Sequence, residues 1–247
     1  MSIIPNVIAT ADDFGLNNSV NRAILNCFEK EYINSTSFIT NTLYFEESVS
    51  LIHENSIIQN IGVHINLAEG KPLTNYIPKH WLDENGNWDV KKINKKINFL
   101  NINSKNAFIN EIGAQIDKAL AAKISIVHLD SHYHIHTLPC FYQLFLDTAK
   151  RYKLKLRLAQ TYNEGSYIKY LYRKRINNIL KRNNTAYSAY FETVDEFLTR
   201  RDKFTRAGVV EVMLHPDFDA AGELTDHYDA DTMIKWLSFI EKKNNAQ

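Results

Sequence analysis

At 247 residues, with 45% hydrophobic and 23% charged side chains, the chain has enough apolar material for a packed core and lacks the composition of a disordered or fibrous protein. Lys and Arg total 29 against 28 Asp and Glu, so the net charge of +1 gives no reason to expect nucleic acid or an anionic membrane as partner. The two cysteines, Cys27 and Cys140, lie far apart, which suggests neither a disulfide framework nor a thiolate zinc site and fits a reducing, cytoplasmic setting.

The opening "MSIIPNVIAT" has no basic leader and is interrupted by Pro5 and Asn6, so no signal peptide is read there, and no apolar run approaches the roughly 18 residues of a membrane span. "NVIATADDF" reads as a buried strand, after which Val20, Ala23, Ile24, Cys27 and Phe28 recur at helical spacing. The alternation repeats: strand "TSFIT", helix "EESVSLIHEN", strand "NIGVHINL", a helical stripe from Phe108 to Leu120, and strand "ISIVHLD". Helix "CFYQLFLDTAKRY", strand "LKLRLA", helix "VDEFLTRRDKF", strand "GVVEVML" and a terminal helix "DTMIKWLSFIEKK" follow. Strands alternating with helices imply parallel pairing through helical crossovers, and a chain of this length most economically curls into a distorted or incomplete (β/α) TIM-like barrel; an open doubly wound sheet is the alternative. Residues 68–105 break the rhythm with turn formers, Trp81, Trp88 and the basic "KKINKKIN", and read as an insertion or lid within one domain spanning 1–247.

In parallel α/β folds the site forms at the carboxyl ends of the strands. Polar residues collect at four such ends: Asp12 and Asp13 after "NVIATA", His64 in "IGVHINL", the cluster "HLDSHYHIH", and His215 after "GVVEVML". Adjacent carboxylates are costly as desolvated anions unless a cation stands beside them. One carboxylate and two neutral imidazoles form a ligand set for a divalent ion, with positions left for water and substrate. Within the cluster, an extended chain sends His132, His134 and His136 to one face, whereas a helical turn pairs His128 with His132; the sequence leaves both open, and about two of the four histidines are expected to be structural.

The blocks "TADDFGLNNSVNRAI", "GVHINLAEGKPL", "HLDSHYHIH" and "EVMLHPDF", in this order, resemble the motif blocks of the YdjC-like carbohydrate deacetylases, the family that includes chitooligosaccharide deacetylase. The resemblance implies a distorted barrel that removes acetyl groups from N-acetylated mono- or oligosaccharides with one divalent metal ion, zinc or magnesium, and it implies a homodimer. It places the metal on Asp13, His64 and His132, the general base at Asp12, the general acid at His215, and an arginine that holds the base at Arg157. The chain departs from the pattern at Tyr133, where the family often has another histidine, and at Asp217, which either raises the pKa of His215 or sits on the surface.

The chemistry suits these residue types in their own right, because a cation can polarise an amide carbonyl and acidify a water while a carboxylate and an imidazolium move the protons. A phosphoesterase with a similar Asp/His cluster is the first alternative, though it usually wants more bridging carboxylates; a sugar-binding protein that has lost catalysis is the second, though it needs neither base nor acid. The basic stretch at 169–182 reads as a solvated helix face packed through Leu171, Ile176, Ile179 and Leu180 in preference to a phosphate or acidic-sugar contact. Trp81 and Trp88 either stack on a sugar or anchor their loop.

Overall fold

The computed structural model describes residues 4–95 and 98–244, so the first three residues and two positions within "KKINKKIN" lie outside the described residues. In chain order the elements are β1 (Val7–Phe14), α1 (Asn18–Glu29), β2 (Ser35–Phe38), α2 (Phe45–Glu54), β3 (Ile61–Ile65), α3 (Val90–Ile93), α4 (Ile102–Ala121), β4 (Ile126–Ser131) and α5 (Tyr142–Tyr152). They continue with β5 (Lys155–Leu156), α6 (Tyr167–Arg182), β6 (Tyr190–Glu192), α7 (Val194–Ala207), β7 (Val210–Leu214), β8 (Pro216–Phe218), β9 (Leu224–Asp226) and α8 (Ala230–Asn244). Side-chain oxygens of Asn17, Asn101, Ser166 and Thr193 accept backbone N–H groups at the starts of α1, α4, α6 and α7, which satisfies donors that a helix cannot pair internally.

Seven strands form one curled, all-parallel sheet in the order β5-β4-β3-β2-β1-β7-β6, the distorted TIM-like barrel expected from the alternation. Its edges approach each other through a parallel bridge between Leu156 and Ala186, where the Leu156 N–H donates to the Thr185 carbonyl at 2.7 Å and the Tyr187 N–H donates to the Leu156 carbonyl at 3.0 Å. Ala9, Ala11, Val63, Leu129 and Val212 join Ile24, Cys27, Ile112, Ile116 and Phe145 of the helices in one hydrophobic core. The alternate strand positions carry Thr10, Ser35, Ser37, His128, Asp130 and Glu211, all buried. Where barrels of this type are usually filled by branched aliphatic side chains, this one is filled by polar ones. Gly62 makes room for them: a Cβ there would stand 2.2 Å from His128 Nε2.

The differences from the sequence reading have local causes. β5 is two residues long because Asn177 of α6 takes over the next pairing, accepting the Ala159 N–H at 2.9 Å and donating to its carbonyl at 2.8 Å. β6 and the antiparallel β8–β9 pair have three residues each, too few for a periodic signature. Trp81 and Trp88 are buried against Phe108, with ring centroids at 5.4 and 6.0 Å, and Trp81 Nε1 donates to Ser104 Oγ at 3.0 Å, so both anchor their loop. On α6, Ile176 and Leu180 pack inward as expected, but Leu171 stays largely in solvent and the buried cation is Arg173, paired with Glu164 at 3.0 Å. Among the described residues, no helix is long and apolar enough to cross a membrane.

Candidate active site

A bulge at the end of β1 sets the two aspartates. The register with β2 shifts between Ala11 and Phe14, and Asp13 takes a left-handed backbone with φ 70°. Such a bulge re-aims a side chain that strict alternation would send to the opposite face, and for a residue other than glycine the conformation costs on the order of 1 kcal/mol, strain of the kind that collects at functional sites. Asp12 and Asp13 thereby serve neighbouring parts of one strand-end site.

The Asp13 carboxylate is buried and lies where three imidazoles meet. His132 Nδ1 stands 2.8 Å from Oδ1 and His64 Nε2 stands 3.3 Å from it, while His227 Nε2 is 3.2 Å from Oδ2. These ring nitrogens are within reach of the Asp13 oxygens but not aligned as hydrogen-bond donors to them, and the ligand atoms of Asp13, His64 and His132 all lie within 4.8 Å of one another. Donors about 2.1 Å from a zinc ion stand roughly 3 to 3.4 Å apart, close to the separations here. One hard oxygen and two imidazole nitrogens thus fit a divalent ion. On the far side of His64, Asp130 Oδ1 takes the Nδ1 position at 2.8 Å, leaving Nε2 turned toward Asp13, as outer carboxylates orient histidine ligands. Burial alone would keep His64 neutral, but Asp130 and Asp12 outweigh it and lift its pKa to about 10. The same anions attract any cation that competes with the proton.

Behind the aspartates lies Arg157, fully buried in the curl of the sheet. Its NH1 and NH2 groups donate to Asp12 Oδ2 and Oδ1, both at 2.7 Å, NH1 also reaches Asp130 Oδ2 at 2.7 Å, and Nε donates to Glu211 Oε1 at 2.9 Å. One guanidinium cannot neutralise three buried carboxylates. Glu211 absorbs the mismatch: burial pushes its pKa up to about 7 against the pull of Arg157, with Asp130 and Asp12 pushing the same way. Asp130 stays ionised, because Arg157 and His64 outweigh the burial that would protonate it.

The cleft above is about 300 Å³ and is lined by Asp12, His64, His132, Tyr133, His134, Met213, His215 and Tyr228, among others. Its size is at the small end for ligand sites. His215 Nε2 faces Asp12 Oδ2 at 3.9 Å, and its Nδ1 stands 3.7 Å from Asp226 Oδ2. Burial opposes its charge, but Asp226, then Asp13 and Asp12, raise its pKa above the ordinary value. Asp217, a candidate for that role, instead accepts the Ser19 hydroxyl and the Phe218 N–H.

The histidine cluster is extended on β4 only as far as Ser131, and beyond it the chain is neither a continued strand nor a regular helix. Tyr133 and His134 take left-handed backbone angles (φ 53° and 54°), which coil residues 132–137 into a tight turn and part the side chains. His132 goes to Asp13 and His134 lines the cleft. His128 lies inside the sheet, 3.1 Å from Ser37 Oγ and stacked on Tyr187, while Ser131 and His136 hold the turn through a 2.8 Å contact. His128 and His136 thus make their contacts inside the sheet and the turn, whereas His132 and His134 line the cleft.

Residues 6–243 match the sequence model of a family described as YdjC-like protein. The chain belongs to this family. Curated relatives include carbohydrate deacetylases from Clostridium beijerinckii, 24% identical over 98% of this chain and 93% of the relative, and from Brevibacillus brevis, 26% identical over 96% and 92%. A carbohydrate deacetylase from Vibrio parahaemolyticus is 32% identical, over 61% of this chain and 58% of its own length. A crystal structure of a protein described as a cellobiose-phosphate cleavage protein, from Enterococcus faecalis V583, superposes with a TM-score of 0.69 at 23% identity, covering 87% of this chain and 82% of that one. That likeness establishes the shared fold.

Within this YdjC-like chain, Asp12, Asp13, His64, His132, Arg157 and His215 from the sequence reading all come together at one end of the sheet. Asp130, Glu211, Asp226, His227 and Glu69 join them without having been given a role. Asp130 and Glu211 stand at the same alternate positions as His128 and Met213, so strand periodicity marks them as inward-facing. Asp226 and His227 carry no such signal, since their short hairpin has none. Glu69, whose Oε1 lies 3.5 Å from His132 Nε2, begins the stretch read as an insertion.

Proposed function

We propose that this protein is a metal-dependent hydrolase that removes the acetyl group from an N-acetylated mono- or oligosaccharide. The observation that carries the reading is the pairing, in one cleft, of the Asp13, His64 and His132 ligand set with a carboxylate and an imidazole facing each other at 3.9 Å. The names of the curated relatives supply the substrate class. A divalent ion on the three ligands would polarise the amide carbonyl and lower the pKa of a nearby water from about 15.7 toward 7. Two nitrogen donors favour zinc or another first-row ion over magnesium.

The chain's own groups move the protons. Asp12, fixed by both of its oxygens on Arg157, takes a proton from the attacking water as the water oxygen joins the acetyl carbon. His215, whose pKa its carboxylate neighbours raise, gives a proton to the sugar nitrogen as the C–N bond breaks, releasing acetate and a free amine. Residues 68–105 belong to the same domain and reach the site through Glu69, while their two tryptophans fasten them to α4.

The test is acetate release from a panel of N-acetylated sugars, using protein stripped of metal and resupplied with zinc, cobalt, manganese or magnesium. Release that depends on the ion and that Asp12→Asn abolishes is the expected result. Silence across the panel from protein that still binds the ion would remove the deacetylase reading.

A further inference from the structure

His227 lies in "TDHYD", outside the four blocks that the sequence reading singled out, yet it completes the surroundings of Asp13. The β8–β9 hairpin delivers it. The His227 N–H donates to the His215 carbonyl at 3.1 Å, and Asp226 just before it accepts the backbone N–H groups of His215, Tyr228 and Asp229, so the hairpin end is tied to the end of β7. The imidazole is packed against the rings of His215 and Tyr228, with centroids at 5.3 and 4.3 Å, and its side chain is only 15% exposed.

Two facts separate this ring from an ordinary packed histidine. Neither of its nitrogens makes an aligned hydrogen bond to any other group, and Nε2 stands within hydrogen-bond distance of Asp13 Oδ2, at 3.2 Å, where that oxygen has no other aligned donor. Leaving such groups unpaired in a buried place costs free energy, so their apposition requires an explanation. His227 stands outside the mutually close set of Asp13, His64 and His132, and it approaches the opposite oxygen of the carboxylate from theirs. We infer that His227 is a positioning residue: its Nε2–H donates to Asp13 Oδ2 and keeps Oδ1 turned toward His64 and His132, so that the three ligands are arranged before an ion arrives. The inference rests on the reading of those three as metal ligands. Carboxylate ligands are generally held by such outer hydrogen bonds, and losing one typically costs about 10- to 100-fold in metal affinity.

The experiment is calorimetric titration of zinc, and in parallel cobalt, into the metal-stripped full chain, comparing the parent with His227→Leu and His227→Gln, with thermal unfolding of each metal-free protein alongside. The expected result is one ion bound per parent chain, an affinity about 10- to 100-fold weaker in His227→Leu, and an affinity within about threefold of the parent in His227→Gln, whose amide can still donate. A purely structural histidine would move the unfolding temperature and leave the affinity difference between Leu and Gln absent. If His227→Leu does not fold, His227→Ala takes its place. Equal affinity in the parent and the Leu or Ala variant, or equal loss in Gln and Leu, overturns the inference while leaving the three-ligand site standing. Failure of the parent itself to bind an ion overturns the site and the inference together.

Discussion

Arg157→Met tests whether the buried guanidinium is what allows carboxylates to crowd the strand ends. Its removal leaves Asp12 and Asp130 without their cation in a place that neither can leave, whereas Glu211, already near pH 7 in pKa, can take up a proton. Removing one partner of a buried ion pair costs about 3 to 5 kcal/mol. Because Glu211 can be discharged by protonation, the total stays near that figure instead of growing with each carboxylate. For a chain of this size 1 kcal/mol corresponds to roughly 2 to 4 °C in Tm, so the variant should melt about 6 to 20 °C below the parent at pH 7. The sign with pH follows from linkage. Asp130 is held below its ordinary pKa in the folded parent, so its contribution is present above the unfolded value of about 3.9 and is lost as pH falls below it. Parent and variant should therefore keep their difference from pH 7 down to about 4 and converge in calorimetric scans below it. Arg157→Lys keeps a charge but not the two-point grip on Asp12; it should melt closer to the parent while acetate release falls about 100-fold, the cost of a misplaced base. A Met variant within about 1 kcal/mol of the parent at pH 7, or a deficit as large at about pH 2.5 as at pH 7, would refute the reasoning.

Asp226→Asn should shift the basic limb of the pH–rate profile for acetate release to lower pH, because Asp226 raises the pKa of His215 and the acid must stay protonated to act; an unmoved limb would take His215 out of that role. Gly62→Ala should cost about 1 to 3 kcal/mol, or roughly 2 to 12 °C in Tm, because its Cβ would meet the His128 ring at 2.2 Å. The double variant Gly62→Ala/His128→Ala should recover part of the loss, and strict additivity in a thermal melt would show that the two do not press on each other.

The sequence made the scaffold legible wherever a strand or helix was long enough to show its period. β1, β3, β4 and β7 are visible as apolar runs leading into Asp or His, and that rule brings Asp12, Asp13, His64, the cluster "HLDSHYHIH" and His215 to one rim, while the choice of His132 within the cluster comes from the family resemblance. It failed where tertiary partners decide. Strand β5 stops early because a side chain of α6 caps it, and β6 is too short to announce itself. The histidine cluster could not be parsed by strand or helix geometry because its turn uses two left-handed residues, a conformation that neither Tyr133 nor His134 advertises. His227 and Asp226 were invisible for a further reason: a three-residue strand has no pattern, and their partners lie roughly 210 and 10 residues away in sequence.

Charge explains why the site divides into two halves. Asp12, Asp13, Glu69, Asp130, Glu211 and Asp226 bring six carboxyl groups to one end of the sheet, and the guanidinium paired with three of them is Arg157. On the Asp12 side the guanidinium is permanent, always charged and bonded at 2.7 Å, so it fixes the position of a base. Among the described residues, Asp13 pairs with no guanidinium or ammonium group; its neighbours are imidazoles, whose charge is removable. A divalent ion held by His64 and His132 would need them as neutral donors, and it would take over from their protons the balancing of Asp13. The proposed hydrolysis calls for this division, with an exchangeable cation beside Asp13 that would act on the substrate and a fixed one that holds Asp12 in place.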